Sequence, residues 1–248
     1  DFNDDGSLDV FAAHGSHNKI YTGDGSGGFS VTDIGTQLSG QAVAVGHFNS
    51  DDNLDAFVAR YDASTDPNAV YLGDGSGGFS VNDVPGAKEQ SLSVGVGDLD
   101  GDGNPDVVVG NTSADRVYLG DGAGEFGTGT DIPGTPASTT GIAVGDFNND
   151  GALDVFAAAD GPENHIYIGD GSGGFGHVTS AAPGESNSSR DVGIGDLNND
   201  GALDAFVVNR GQKNRVYLGD GTGGFTVKDA SSASMDSQGV VLGDFNNM

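Results

Sequence analysis

The chain contains no cysteine and no tryptophan in 248 residues. The first absence excludes a disulfide framework and thiolate metal sites. Basic residues are scarce as well: 9 Lys and Arg stand against 37 Asp and Glu, for a formal net charge of −28. Such an acidic surface repels phosphates, so no nucleic-acid partner is expected. No apolar run approaches the roughly 18 residues that span a bilayer. No direct membrane insertion is therefore expected, and no signal-peptide pattern is visible. With 7 prolines and 45 glycines, the composition suits many tight turns and few long helices.

What is present is unevenly distributed. The acids comprise 33 Asp and only 4 Glu. A solvated acidic surface would use both, whereas short Asp side chains in turns point to metal ligation, with adaptation to high salt as the other reading. The Asp residues recur in a loop spelled "GDFNNDGALDVF" at residues 145–156 and "GDLNNDGALDAF" at 195–206. Related loops begin at Asp1, His47 and Asp98, and a stub begins at Asp244. A second repeated element, "YTGDGSGGF" at Tyr21, returns at Tyr71, Tyr118, Tyr167 and Tyr217.

A period near 50 residues with β-like content is the scale of a propeller blade. Before each loop runs a short strand pattern such as "AVAVG" or "GIAVG", bare on one face and branched on the other. After it come a β-rich run, an "N-x-[IV]-Y-x-G" run with Asp115 in place of Asn in the third copy, and a strand opened by Phe29, Phe79, Phe126, Phe175 or Phe225. Strands A to D each occur five times. The expected fold is all-β: one domain over 1–248, a five-bladed β-propeller of four-stranded antiparallel blades. Strand A of the first blade would come from residues 239–244, closing the ring and hiding its open edge. The periodic aromatics are expected in the core.

The loop pattern D-x-[DN]-x-[DN]-G-x-x-D puts carboxylate or amide oxygens at positions 1, 3, 5 and 9, glycine at 6 and a carbonyl at 7. Calcium takes about 6–8 such oxygens from flexible ligands, whereas magnesium demands a stricter octahedron. The plain alternative is an acidic Asx-turn without metal. With strands flanking it and no Glu at position 12, the loop resembles the FG-GAP/VCBS repeat of integrin α-subunit propellers and bacterial surface proteins. The resemblance covers essentially the whole chain.

Carried over residue by residue, it implies about four structural Ca2+ ions. They would be held by Asp1, Asn3, Asp5 and Asp9; by Asp98, Asp100, Asp102 and Asp106; by Asp146, Asn148, Asp150 and Asp154; and by Asp196, Asn198, Asp200 and Asp204. The second loop departs from the pattern, with His47 at position 1 and Asp52 at position 6. Its site, Asn49, Asp51 and Asp55, is expected to be weak or empty. The Asp of each "GDG" (Asp24, Asp74, Asp121, Asp170, Asp220) reads as a turn residue.

No His or Glu recurs beside the loops to act as a base, so the chain is expected not to be an enzyme. In the family it resembles, integrin α propellers bind ligands on the face opposite the calcium loops. Most of the scarce bases fall in or beside those connections, and His14, His17, Arg60, Tyr61, Arg210 and Lys213 are the candidate ligand residues there. The expected function is an extracellular or cell-surface, calcium-stabilised adhesion module for a protein or glycan ligand. A structural repeat segment of a large surface protein or filament is the alternative, and a paired-carboxylate polysaccharide hydrolase ranks below both.

Overall fold

The computed structural model describes residues 1–35, 40–61, 67–86, 89–135, 138–161, 163–181 and 187–245. The described chain is built of antiparallel strands. The first sheet joins β1 (Val10–Ala12), β2 (Asn18–Gly23) and β3 (Phe29–Ile34). The second joins β4 (Gly40–Gly46), β5 (Asp55–Arg60), β6 (Ala69–Gly73) and β7 (Phe79–Asp83). In the third, β8 (Ser91–Gly97) and β9 (Asp106–Asn111) are followed by a short β10 (Arg116–Tyr118) and a two-residue β11 (Thr130–Asp131).

The fourth repeat contributes β12 (Thr139–Gly145), β13 (Asp154–Gly161), β14 (His165–Gly169) and β15 (Phe175–Ser180). The fifth contributes β16 (Asn187–Gly195), β17 (Asp204–Gln212), β18 (Arg215–Gly219) and β19 (Phe225–Asp229), with β20 (Met235–Asp236) paired to the end of β17. A two-pair ladder between β13 and β16 links these last two repeats into one nine-stranded path. The described chain divides into two compact units: Asp1–Asp98, Asp102–Thr112 and Arg116–Asp131 form one, and Leu99–Gly101, Ser113–Asp115 and Ile132–Met248 form the other.

Register repeats with the sequence. Gly46, Gly97, Gly145 and Gly195 end β4, β8, β12 and β16, and they pair with Asp55, Asp106, Asp154 and Asp204. On the bare face, Gly145 and Gly193 make room for the side chains of Leu203 and Leu242, and Gly141 for a neighbouring backbone. A Cβ on Gly141 would stand 2.9 Å from the Asp191 Cα, closer than non-bonded carbons pack.

The periodic aromatics fill the core, as expected. In the first unit, Phe11 meets Tyr71 edge-on at 5.4 Å, and Phe57 meets Phe126 at 5.3 Å. In the second, Phe156 meets Tyr217 at 5.1 Å. Phe57, Phe156, Tyr71, Tyr167 and Tyr217 are fully buried, so each contributes on the order of 3 kcal/mol of packing. Phe29 and Phe245 depart from the pattern: Phe29 has half its surface exposed on the outer strand of the first sheet, and Phe245 is exposed more fully still.

The closing strand departs from expectation. The first sheet has three strands, and residues 239–245 form no strand. Instead Val240 N–H donates to the Asp191 carboxylate at 2.9 Å, and Leu242 packs over the bare Gly193 and Gly195 of β16. The segment is thus anchored through its side chains on a glycine face, without a hydrogen-bonded ladder to make it a strand.

Candidate metal centres

The acidic loops of the second to fifth repeats connect the first two strands of each, the first loop precedes β1, and their tightness follows from left-handed backbone at fixed places. Position 6 is Gly6, Gly103, Gly151 or Gly201, all at positive φ; position 4 is Asp4, Gly101, Asn149 or Asn199, also at positive φ. Short side chains and glycine tolerate that region. The position 1 carboxylate then gathers the turn. Asp146 accepts the N–H of Asp150 at 3.2 Å and of Gly151 at 3.0 Å. Asp1 and Asp196 accept the matching pairs, and Asp98 accepts Gly103 N–H at 3.0 Å.

Position 9 has a second task that the sequence did not disclose. Asp55, Asp106, Asp154 and Asp204 are fully buried. Asp154 accepts Phe147 N–H and Gly169 N–H, both at 2.9 Å, so it pins its loop to the third strand of the same sheet. Asp9, Asp55 and Asp204 make the same two bonds, and Asp106 accepts Gly120 N–H. Burial pushes the Asp55 and Asp154 carboxyls above the usual range, against the pull of those N–H bonds. In the exposed loop tips the opposite holds. The Ser7 N–H beside Asp5 and the Gly201 N–H beside Asp196 hold those carboxyls low.

The third loop is the richest donor set. Asp98, Asp100 and Asp106 each bring an oxygen within 4.8 Å of the others, a spacing that suits a hard cation. At position 3 the other complete loops carry Asn3, Asn148 and Asn198. Each of these amides donates to the position 5 carboxylate, at 3.0, 2.8 and 2.8 Å. The residues of these four loops match a calcium-type ligand set in kind, and the spacing of the third matches it as well.

The second loop does not. His47 Nδ1–H donates to the Asn53 carbonyl at 2.9 Å, engaging the position 7 oxygen that a cation would use. The imidazole offers Asp51 and Asp52 no carboxylate to gather their N–H groups, and of the two left-handed positions only position 6, here Asp52, keeps its positive φ. Asp55 keeps both of its pinning bonds, so this loop is built without a complete donor ring.

The GDG aspartates behave as turn residues. Asp24 Oδ1 accepts Ser26 N–H at 2.8 Å and Gly28 N–H at 2.9 Å, and equivalent bonds recur at Asp74, Asp121, Asp170 and Asp220.

The candidate ligand residues fare differently. His14, Tyr61 and Arg210 are exposed, and His17 is half-buried. Arg60 is a correction: it is 1% exposed, and its Nη1 donates to the Pro67 carbonyl at 2.7 Å and to Asp83 at 3.2 Å. Lys213 is paired with Asp229 at 2.5 Å. Lys19–Asp33, Arg116–Asp131, Arg190–Asp160 and Arg215–Asp229 are further ion pairs. Six of the nine bases are thus committed within their own repeat or to a neighbouring one. His14, His17, Arg60 and Tyr61 lie in the first unit, and Arg210 and Lys213 in the second.

Sequence reasoning also missed a link between successive repeats. Asn18 Nδ2 donates to the Tyr71 hydroxyl, and Asn164 Nδ2 to the Tyr217 hydroxyl, both at 2.9 Å and buried. In the third repeat Asp115 takes the asparagine's place, and the Tyr167 hydroxyl donates to it at 2.5 Å. Burial and the adjacent Asp115 charge both raise the Tyr167 hydroxyl's pKa. The "N-x-[IV]-Y" motif contained both partners, but a bond from one copy to the next has no local signature.

The FG-GAP-like repeat model matches this chain five times, at residues 1–58, 47–109, 98–157, 146–207 and 196–247. The chain belongs to that repeat family. Among solved structures, a lectin from Agrocybe aegerita that recognises non-reducing terminal N-acetylglucosamine is 20% identical, with a TM-score of 0.65 over 92% of this chain and 64% of its own. The Vibrio cholerae biofilm matrix protein Bap1 is 15% identical, with a TM-score of 0.49 over 96% of this chain and 39% of its own. A Photorhabdus luminescens Tc holotoxin pore is 15% identical, with a TM-score of 0.42 over 90% of this chain and 12% of its own. The chain spans less than two thirds of each of these proteins, and at such identities the lectin likeness speaks for the fold alone. No curated protein sequence matches.

Proposed function

We propose that the chain is a calcium-stabilised binding module of an extracellular or cell-surface protein, recognising a protein or glycan through connections at the end of the sheets opposite the acidic loops. The observation that carries it is the loop set. Four loops bring oxygens to positions 1, 3, 5 and 9, with three carboxylates gathered in the third. In a chain without disulfides, bound ions supply the cross-links and neutralise charge that would otherwise repel. Asp98, Asp100, Asp102 and Asp106 would hold one ion, and the loops from Asp1, Asp146 and Asp196 one each.

Closure of the five repeats into a ring belongs to the same reading. Residues 239–244 would then lie beside Asp9–Ala12, with Gly243 opposite Asp9 in the register that places Gly46 opposite Asp55. Slow amide exchange at 240–243 would support it, and exchange at the rate of a free chain would count against it.

Agrocybe aegerita lectin is the neighbour that bears on a glycan ligand, and no enzymatic activity is proposed. The structural-segment reading is favoured by one observation, the commitment of Arg60 and Lys213 to ion pairs. Glycan-array binding in millimolar calcium and again in EDTA, with circular dichroism on the same samples, separates the two. Binding to a defined glycan that Tyr61→Ala or Arg210→Ala abolishes supports the module. Silence from a folded, calcium-loaded chain, on glycan and protein arrays alike, favours the segment.

A further inference from the structure

The third repeat breaks the pattern of its sisters at one turn. Four turns read Gly-Gly-Phe before the outer strand, and the third reads Gly124-Glu125-Phe126. Glycine suits the turn. A Cβ at Gly174 or Gly224 would stand 2.5 Å from an oxygen of Asp170 or Asp220. A side chain at this place therefore crowds the turn's own carboxylate, and the fold has no use for it. The third turn still closes, with Asp121 accepting Ala123 N–H at 2.8 Å and Glu125 N–H at 3.1 Å.

The outer strand that follows is also reduced. β11 has two residues, and Gly127-Thr128-Gly129 occupies the stretch where Val31, Val81 and Val227 stand in other repeats. Beside this thinned edge lies a cavity of about 230 Å³ within the first unit. Val84, Pro85 and Phe126 form apolar walls, while Asn82, Asp83 and Glu125 supply the polar lining. Its size is below the roughly 300–1,000 Å³ of pockets for drug-sized ligands, so it suits a single side chain.

We propose that this cavity binds the ammonium group of a lysine side chain from a partner protein. The apolar walls match the four methylenes of the stem, and the Glu125 carboxylate in the lining matches the charge. Arg60 orients Asp83 from the protein side, through Nη1 at 3.2 Å. Glu125 is exposed, and among the described residues no ion pair engages it. Among the described residues no base lines the cavity, and a net charge of −28 draws cations toward it and repels anions. Among the described residues, the acids that converge closely enough for a metal are in the third loop, so an organic cation is the better match here.

The test is an NMR titration of the full chain in millimolar calcium with Nα-acetyl-lysine amide, and with Nα-acetyl-norleucine amide as the isostere lacking charge. The expected result is saturable shifts at Asn82–Val84 and Gly124–Phe126, with a Kd on the order of 1 mM for the lysine probe and at least tenfold weaker binding of norleucine. Glu125→Gly, which installs the residue of the four sister turns, is expected to weaken lysine binding at least tenfold. Glu125→Gln does the same while keeping the side chain's bulk, which guards against a folding artefact. Unchanged binding by both variants overturns the proposal. Equal affinity for norleucine overturns it too, as do shifts spread over the acidic loops, or methyl glycosides moving the same amides more strongly than lysine.

Discussion

The second and third acidic loops occupy the same place in adjacent repeats, and both are pinned by a buried position 9 aspartate. They part at position 1. Asp98 joins Asp100 and Asp106 in a ring of carboxylates, whereas His47 donates its own N–H to the carbonyl that would complete such a ring. The hairpin therefore needs the pin in every repeat and the donor ring in only some. If the donor rings hold ions, two functions overlap in one nine-residue motif, and the second loop keeps the pin without the ring.

The comparison breaks first under chelation. If ions fill four loops, EDTA is expected to lower stability by several kcal/mol, since one site at about a hundred times its Kd contributes roughly 2.7 kcal/mol. Thermal melts with and without EDTA measure this, and coincident curves would remove calcium from the account. Next come the pins. Asp154→Ala and Asp55→Ala each orphan two backbone N–H groups and are expected to cost about 2–4 kcal/mol in EDTA. In calcium the Asp154 variant is expected to lose more than the Asp55 variant; equal losses in urea melts would show that ion and pin are not additive at Asp154.

The loops can also be converted. His47→Asp with Asp52→Gly restores the pattern, and calorimetric titration is expected to count five ions in place of four. Asp100→Asn gives the third loop the amide of its sisters and is expected to weaken that site about tenfold, or about 1.4 kcal/mol.

The smallest effect is on pH. Asp55 and Asp154 are raised above 3.8 by burial, so the folded chain holds their protons more tightly than the unfolded one. In chelator, their contribution is full below the unfolded value and is lost as pH rises through the folded one. Asp24, Asp74 and Asp220, held low by N–H and hydroxyl donors, act in the opposite sense, and below 3.8. Urea midpoints in EDTA between pH 4 and 6 are expected to fall as pH rises, and Asp154→Asn is expected to flatten the slope. An unchanged slope in that variant would assign it to other groups.

Much of this was legible in the sequence because repeats print their periodicity. Five copies of a loop, a tyrosine and a phenylalanine give the strand order, and alternate glycines mark the crowded inner strands. The departure of the His47 loop from the pattern could be read from its residues alone. What could not be read depends on pairing across strands. Arg60 sits in a variable connection by sequence, yet across the sheet it meets Asp83 and is buried. The structural task of position 9 was hidden because spacing cannot show that Gly73 or Gly169 brings an N–H to it from 15 or more residues away. The closing strand was inferred from a count of strands, but a count does not supply a ladder partner.

The Asn-to-Tyr contacts carry a consequence for how such chains change length. Each contact runs forward, from residue 18 to 71 and from 164 to 217, an identical step of 53. It gives the array a direction and a pitch, like teeth on a rack. A whole period can be inserted or deleted and the next tyrosine still meets the previous asparagine. A shift of half a period leaves two buried polar groups facing the wrong neighbours. Copy number is therefore free to vary only in whole units, and a swapped repeat must bring its own tooth.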